Sequence, residues 1–353
     1  ETGTLNGDLY IIGSGDPSLG TRKGGAASYS EIVADFASSV AGKGIRKITG
    51  NIIIQTGVFK ENKIARLPEN IVWLDHGSYY LPVGTTQNID PRSEKLVVKQ
   101  SNPFQDSKRY FYVSPYNRQM VFAEQFNGNF ITTKLPDAPA LLANQLRAAL
   151  AKNGTPVVGT VVIKMIEPDP VNRTVITAYK SPALRDIVYA TNQPSDNALA
   201  EALLRTVGFQ KNGDQTLESG RVAVTEHLRN NNFDMAGLNY MDGSGLSKSN
   251  LVTPIAQVKF LANLMNSPYY KDFQESLPIA GQTGTLKKMF FGNSYGQIFA
   301  KTGTLNKVKT LAGYIKTKTG KTLTFSLLVN NYAGSVDQVK SRFEELLDPA
   351  VDL

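Results

Sequence analysis

The chain contains no cysteine, which removes disulfides, zinc-thiolate sites and thiol nucleophiles together and leaves the compartment open, since an exported protein need not carry disulfides. Histidine is almost as scarce. Only His76 and His227 occur, so a histidine-rich metal centre is excluded. A Ser-His-Asp triad would have to recruit either His76, in the turn-like "WLDHGSYY", or His227, late in the helical pattern "VTEHLRNNN"; both read as structural or surface residues. No stretch approaches the ~20 apolar residues of a membrane-spanning helix. Also missing are a phosphate-loop lysine signature, an internal repeat, a low-complexity segment and any block of basic residues interleaved with aromatics, so nothing points to nucleic acid.

What is present is 353 residues, 41% of them apolar, with 38 Lys+Arg against 30 Asp+Glu, a net charge of +8. That is more chain than one hydrophobic core usually organises, so two or more domains are expected. The excess cations are dispersed and read as solvated lysines rather than a docking surface for an acidic polymer. Residue 1 is Glu1 with no charged-then-apolar leader behind it, which suggests a processed or truncated chain.

The pattern changes character near residue 180. Before it lie strand-like runs, "GDLYIIG", "ITGNIIIQTG", "KLVVKQ", "RYFYVS", "QMVFAEQF", "TVVIKMI" and "RTVITAYK", broken by turn signals such as Pro91 and Asn127-Gly128. Two helical patterns interrupt them: "SEIVADFASSVAGKG", with Gly42 as its stop, and "DAPALLANQLRAALAKNG", with Asp137 as cap and Gly154 at its end. After residue 180 four helices are expected, "SPALRDIVYATN", "SDNALAEALLRTVGF", "GRVAVTEHLRNNN" and "TPIAQVKFLANLMNS". Three strands follow, "GQIFAKTGTL", "KTLAGYIKTKTG" and "KTLTFSLLVNNYA", then a last helix, "SVDQVKSRFEELL". Thr319-Gly320 between the last two strands predicts an antiparallel hairpin.

Near the start, "LYIIGSGDPSLG" imitates a dinucleotide-binding turn, but its glycines stand at 13, 15 and 20, Ser18 occupies the position of the third glycine, and Pro17 removes a backbone donor. It reads as a strand-to-loop turn. In "TNQPSDNALAEALL", residues 191–204, Ser195 followed by Asp196 makes a good helix cap, with Leu199, Ala202, Leu203 and Val207 along one apolar face. About a hundred residues later, Lys301-Thr302-Gly303-Thr304 ends an apolar strand. Gly303 would let a substrate backbone lie against the strand edge, while Lys301 and Thr302 offer a cation and a hydroxyl to a carboxylate.

In this order, Ser-x-Asn on a helix-helix loop and Lys-Thr-Gly on a strand match the second and third signatures of penicillin-binding serine enzymes. With "GDLYIIGSGDPSLG", "DGSGLSKSNLVTP", "LPIAGQTGTL" and "AKTGTLNKVKTLAGYI", the chain resembles D-alanyl-D-alanine carboxypeptidases/endopeptidases of the penicillin-binding-protein-4 type. The resemblance is collinear, most specific from residue 180 onward and weakest between 60 and 135. It implies an α/β (α+β) fold: a transpeptidase-like domain of helices packed on an antiparallel sheet, with its C-terminal part at 181–353 and a strand-rich accessory insertion, of one or two subdomains, at 1–180. It implies acyl transfer without cofactor or metal. A serine attacks the carbonyl of a terminal D-Ala-D-Ala in a peptidoglycan stem peptide, D-Ala leaves, and water releases the acyl-enzyme; β-lactam antibiotics trap the acyl stage. Such a substrate places the protein outside the cytoplasmic membrane, as an exported, periplasmic or cell-envelope enzyme.

Carried over by position, the resemblance makes Lys301 and Thr302 holders of the terminal carboxylate, and Thr304 an oxyanion donor through its backbone N–H. Ser195 becomes a proton relay to the leaving amine and Asn197 a binder of the substrate amide. The "DGSGL" segment, Asp242 to Leu246, reads instead as a glycine turn pinning neighbouring loops. One departure stands out: no serine in the chain has a lysine three residues on, as the family's Ser-x-x-Lys nucleophile requires; Ser267 in "SPYYK" misses by one residue. In the family that motif precedes the "GDL…GDP" region, so it is expected upstream of residue 1. The alternatives are a nucleophile-less module that binds D-Ala-D-Ala ends, and a β-lactamase relative. The long region before Ser195 and the missing deacylating-glutamate pattern speak against the second alternative.

Overall fold

A computed structural model of the chain describes residues 3–56, 138–165, 172–214 and 216–353, and between 57 and 137 only the pairing of five short strands. His76, Pro91, Asn127-Gly128 and Asp137 lie outside the described residues. Two compact units emerge, one of residues 1–15 and 29–178, the other of residues 16–28 and 179–353.

The first unit runs β1 (Thr4–Leu5), β2 (Leu9–Ile12), α1 (Tyr29–Gly42), β3 (Lys47–Ile48), β4 (Ile52–Thr56), β5 (Ile71–Leu74), β6 (Tyr79–Pro82), β7 (Leu96–Lys99), β8 (Tyr110–Val113), β9 (Met120–Phe122), α2 (Ala138–Lys152) and β10 (Val161–Met165). Strands β10, β4 and β2 form a parallel sheet in that order. Its central strand buries the successive residues Ile52, Ile53 and Ile54, as a strand covered on both faces must. Helix α1 buries Ile32, Val33, Ala37 and Val40, and α2 buries Leu142, Ala143, Leu146 and Leu150, both at helical spacing. Strands β5 to β9 make a five-stranded antiparallel meander in chain order. The stretch "RTVITAYK", residues 173–180, expected as a strand, has no regular structure. Its β-branched alternation supplies propensity, but no strand among the described residues pairs with it to complete a ladder.

The second unit carries α3 (Leu184–Asn192), α4 (Asn197–Asn212), α5 (Leu217–Asn230), α6 (Pro254–Leu264), α7 (Tyr270–Ser276), β11 (Ile298–Leu305), β12 (Val308–Lys316), β13 (Thr322–Asn330) and α8 (Val336–Leu347). The three strands form the expected antiparallel sheet, ordered β11-β12-β13, and Gly320 at the second hairpin takes a φ of 84°. On one face Ile298, Ala300, Leu311, Ile315 and Phe325 cluster with Val339, Phe343 and Leu347 of α8. On the other, fully buried Tyr314 packs with Leu261 and Leu277, and its hydroxyl donates to the Leu261 carbonyl at 3.0 Å. Gly313 is obligatory between these layers, because a Cβ there would lie 2.1 Å from the Phe299 carbonyl oxygen. Helix α7 was not foreseen; its seven residues are too few for a periodic pattern to register.

Candidate active site

The turn between α3 and α4 is anchored before it is functional. Asn192 Nδ2 donates to Ser276 Oγ at 2.8 Å, and buried Gln193 donates from Nε2 to the carbonyls of Ser276 and Leu277 at 3.1 and 2.8 Å. The chain then turns sharply: Ser195 has φ 61°, a left-handed conformation that serine rarely adopts. The cap expected from Ser195-Asp196 belongs to Asp196, whose Oδ1 accepts from Leu199 N at 3.0 Å. Ser195 is thereby freed from capping. The buried stripe of α4 also differs from the expected one: Leu199 and Ala202 are buried with Leu204 and Gly208, whereas Leu203 is half-buried and Val207 is exposed. Asn197 opens α4, half-buried.

Lys301 reaches this turn from β11. Its Nζ donates to Ser195 Oγ at 2.7 Å and to the Thr302 carbonyl at 2.9 Å. Burial first, and the Lys309 charge second, lower the Lys301 ammonium to about 8, so it exchanges a proton far more readily than an exposed lysine. Thr302 Oγ1 donates to Thr285 Oγ1 at 2.8 Å.

Among the described residues, strand β11 is also an open edge. Residues 278–280 pair with its outer side only as far as Ala300: Ala280 N donates to the Ile298 carbonyl at 2.9 Å and Ala300 N to the Pro278 carbonyl at 3.0 Å. In an antiparallel ladder outward-facing groups recur at every second residue. Thr302 and Thr304 therefore present their backbone N–H and C=O at the edge beyond that cover. This is the geometry that receives an extended peptide as an added strand. Gly303, expected to admit the substrate backbone, has a nearer reason to lack a side chain: a Cβ there would lie 2.3 Å from Thr310 Oγ1 on β12, its partner in register.

Several contributors were not singled out from the sequence. Lys23, from the early segment that joins this unit, pairs with Asp196 Oδ2. Burial alone would raise the Asp196 carboxyl, but Lys23 and the α4 N–H groups outweigh it and hold it below the usual range. Glu201, buried on α4, accepts from Gly243 N, Ser244 N and Ser244 Oγ at 3.2, 3.1 and 2.6 Å. It pins "DGSGL" from outside while Asp242 accepts from Gly245 N within it at 2.7 Å and from Ser247 N just beyond it at 2.6 Å. Neighbouring Tyr240 is pushed up to about 12 by burial first and then by the Glu201 and Asp242 charges. Thr285 did leave a signal: "TGTL" occurs twice, at 283–286 and 302–305, and the two copies meet at the Thr285–Thr302 hydroxyl contact. His227 is exposed near the end of α5, its ring beside Asn231 at 3.4 Å. The "GSGDPSLG" stretch is a loop, with Asp16 Oδ1 accepting from Ser18 N and Oγ at 2.8 and 2.6 Å.

Helices on both faces of an antiparallel sheet, with a Ser-x-Asn turn bonded to a Lys-Thr-Gly edge strand, define the class of penicillin-binding and β-lactamase-like serine enzymes. The crystal structure of penicillin-binding protein 4 from Haemophilus influenzae, complexed with a β-lactam, superposes with a TM-score of 0.69 at 22% identity, covering 100% of this chain and 83% of that one. The chain belongs to the D-Ala-D-Ala carboxypeptidase 3 (S13) family, whose pattern matches residues 1–124 and 117–346. Among its relatives, the D-alanyl-D-alanine carboxypeptidase of Actinomadura sp. strain R39 is 28% identical over 93% of this chain and 66% of its own length. The D-alanyl-D-alanine carboxypeptidase DacB of Haemophilus influenzae is 25% identical over 94% and 74% respectively.

Proposed function

We propose that the full-length protein is a serine D-Ala-D-Ala carboxypeptidase/endopeptidase of the bacterial cell envelope, acting on peptidoglycan stem peptides through an acyl-enzyme that β-lactams trap. The observation that carries this is the Lys301 Nζ to Ser195 Oγ hydrogen bond, made beside an open edge strand 106 residues away in sequence. The acylating serine is supplied by residues outside the present sequence, since none here has Ser-x-x-Lys spacing.

The substrate peptide adds to the edge of β11, and Lys301 with Thr302 holds the carboxylate next to the scissile amide. When the nucleophile attacks, the carbonyl oxygen gains negative charge. The outward N–H of Thr304 donates to it, an interaction worth roughly 3 to 4 kcal/mol when pre-aimed. Ser195, bonded to Lys301, passes a proton to the departing amine nitrogen, and Asn197 binds the substrate amide. The D-Ala amine leaves protonated, and water resolves the ester. No step requires a cofactor.

Intact-mass spectrometry of the full-length protein, with and without excess benzylpenicillin, tests this. Addition of one penicillin supports the acyl-enzyme. No addition to a folded full-length protein sinks it and leaves a D-Ala-D-Ala-binding module, while rapid release of hydrolysed drug instead points to a β-lactamase.

A further inference from the structure

Lys309 on β12 is only 5% exposed, yet no carboxylate among the described residues pairs with it. Burial first, and then the charge of Lys340 on α8, which is itself paired with Asp337, lower its ammonium, and Lys309 in turn lowers Lys301. Burying an unpaired ammonium costs several kcal/mol that an apolar residue would avoid, so packing does not account for it. The ammonium's hydrogen bond among the described residues does point somewhere. Nζ donates to Thr304 Oγ1 at 2.7 Å, directly across the sheet in register.

An ammonium has only donors, so Thr304 Oγ1 must accept and the hydroxyl's own proton must point elsewhere. Thr304 is exposed, at a position whose backbone already faces the open edge. Its hydroxyl is therefore a committed donor beside the place where a peptide would dock. We propose that Lys309 is a positioning residue for substrate recognition: it turns the Thr304 hydroxyl into a fixed donor toward the carboxylate next to the scissile amide. This rests on the carboxypeptidase reading above.

The experiment uses the full-length enzyme as wild type, Lys309→Met, Lys309→Arg, Thr304→Val and the Lys309→Met/Thr304→Val double variant. The substrates are a tripeptide ending in D-Ala-D-Ala and the same tripeptide as its C-terminal amide. Benzylpenicillin acylation of the wild type is measured first. Its absence overturns the carboxypeptidase reading itself, whereas normal acylation with unresponsive variants overturns only the present inference. Lys309→Met is expected to raise KM for the acid about tenfold more than for the amide, as loss of one charge-oriented hydrogen bond would. Its effect on kcat should be the smaller one. Lys309→Arg, which keeps a donor, should recover most of the loss, and Lys309→Met should add little to Thr304→Val. Equal losses for acid and amide, or full additivity in the double variant, would overturn the proposal in favour of a structural role. Should Lys309→Met fail to fold, Lys309→Leu, which likewise offers no donor, carries the same comparison.

Discussion

A left-handed backbone costs a non-glycine residue about 1–2 kcal/mol, and Ser195 bears that cost at φ 61° to bring its hydroxyl within 2.7 Å of Lys301. Ser195→Ala and Ser195→Gly both delete the hydroxyl, so comparing them isolates the backbone. The glycine variant should be the more stable by about 0.5–1 kcal/mol after its extra chain entropy in the unfolded state is allowed for. Equal urea midpoints would show that the turn relaxes. Lys301 sets a pH dependence. Its ammonium, lowered to about 8, is the cation proposed above to hold substrate, so on that reading kcat/KM should fall as pH rises through about 8. Lys301→Arg, which stays charged, should lose that alkaline limb. For stability the sign is opposite. Between about 8 and the usual 10.5 the unfolded chain binds the proton that the folded chain has shed, so this group's contribution to stability grows with pH across that window.

At the scale of elements, α4 is a frame for loops as much as a piece of core. Buried Glu201 receives three hydrogen bonds from the 243–244 turn. Glu201→Ala should cost about 2–4 kcal/mol, because backbone donors are left without their charged acceptor. Thermal unfolding measures the loss, and broadened amide signals for residues 242–247 would locate it. The β11–β12 pair is specified as tightly. Gly303→Ala should cost about 1–3 kcal/mol by overpacking against Thr310, and Thr310→Ala should restore most of it. If the second substitution does not rescue the first, the glycine is needed for what approaches the edge rather than for its neighbour across the sheet.

For the whole molecule, 38 cations and 30 anions lie dispersed along a chain in which no helix among the described residues is long and apolar enough to cross a membrane. Dispersed charge gives little long-range steering. Turnover of a soluble cell-wall fragment by the full-length enzyme should therefore change by less than about twofold between roughly 0.05 and 0.5 M salt. A steep fall with salt would reveal a surface that reads an acidic polymer. At this scale one segment changes company: residues 16–28 belong to the unit of Ser195 and Lys301 rather than to their sequence neighbours, and they deliver Lys23 to Asp196.

Local physics was legible without a structure because it acts over a few residues. The 3.6-residue spacing of Ile32, Val33, Ala37 and Val40, the cap chemistry of Ser195-Asp196, and the Thr319-Gly320 turn each declare an element from within it. Ser195, Asn197 and Lys301 were legible only as a pattern, through resemblance. Tertiary structure alone decided the rest. Ser195 meets Lys301 across 106 residues and Lys23 meets Asp196 across 173; Lys309 reaches Thr304 because the β11–β12 register sets them opposite; and the 173–180 segment stays irregular, with no partner strand among the described residues. Propensity and capping are properties of neighbours in sequence, whereas a ladder, a buried ammonium and a shared hydroxyl exist only once distant segments have been brought together.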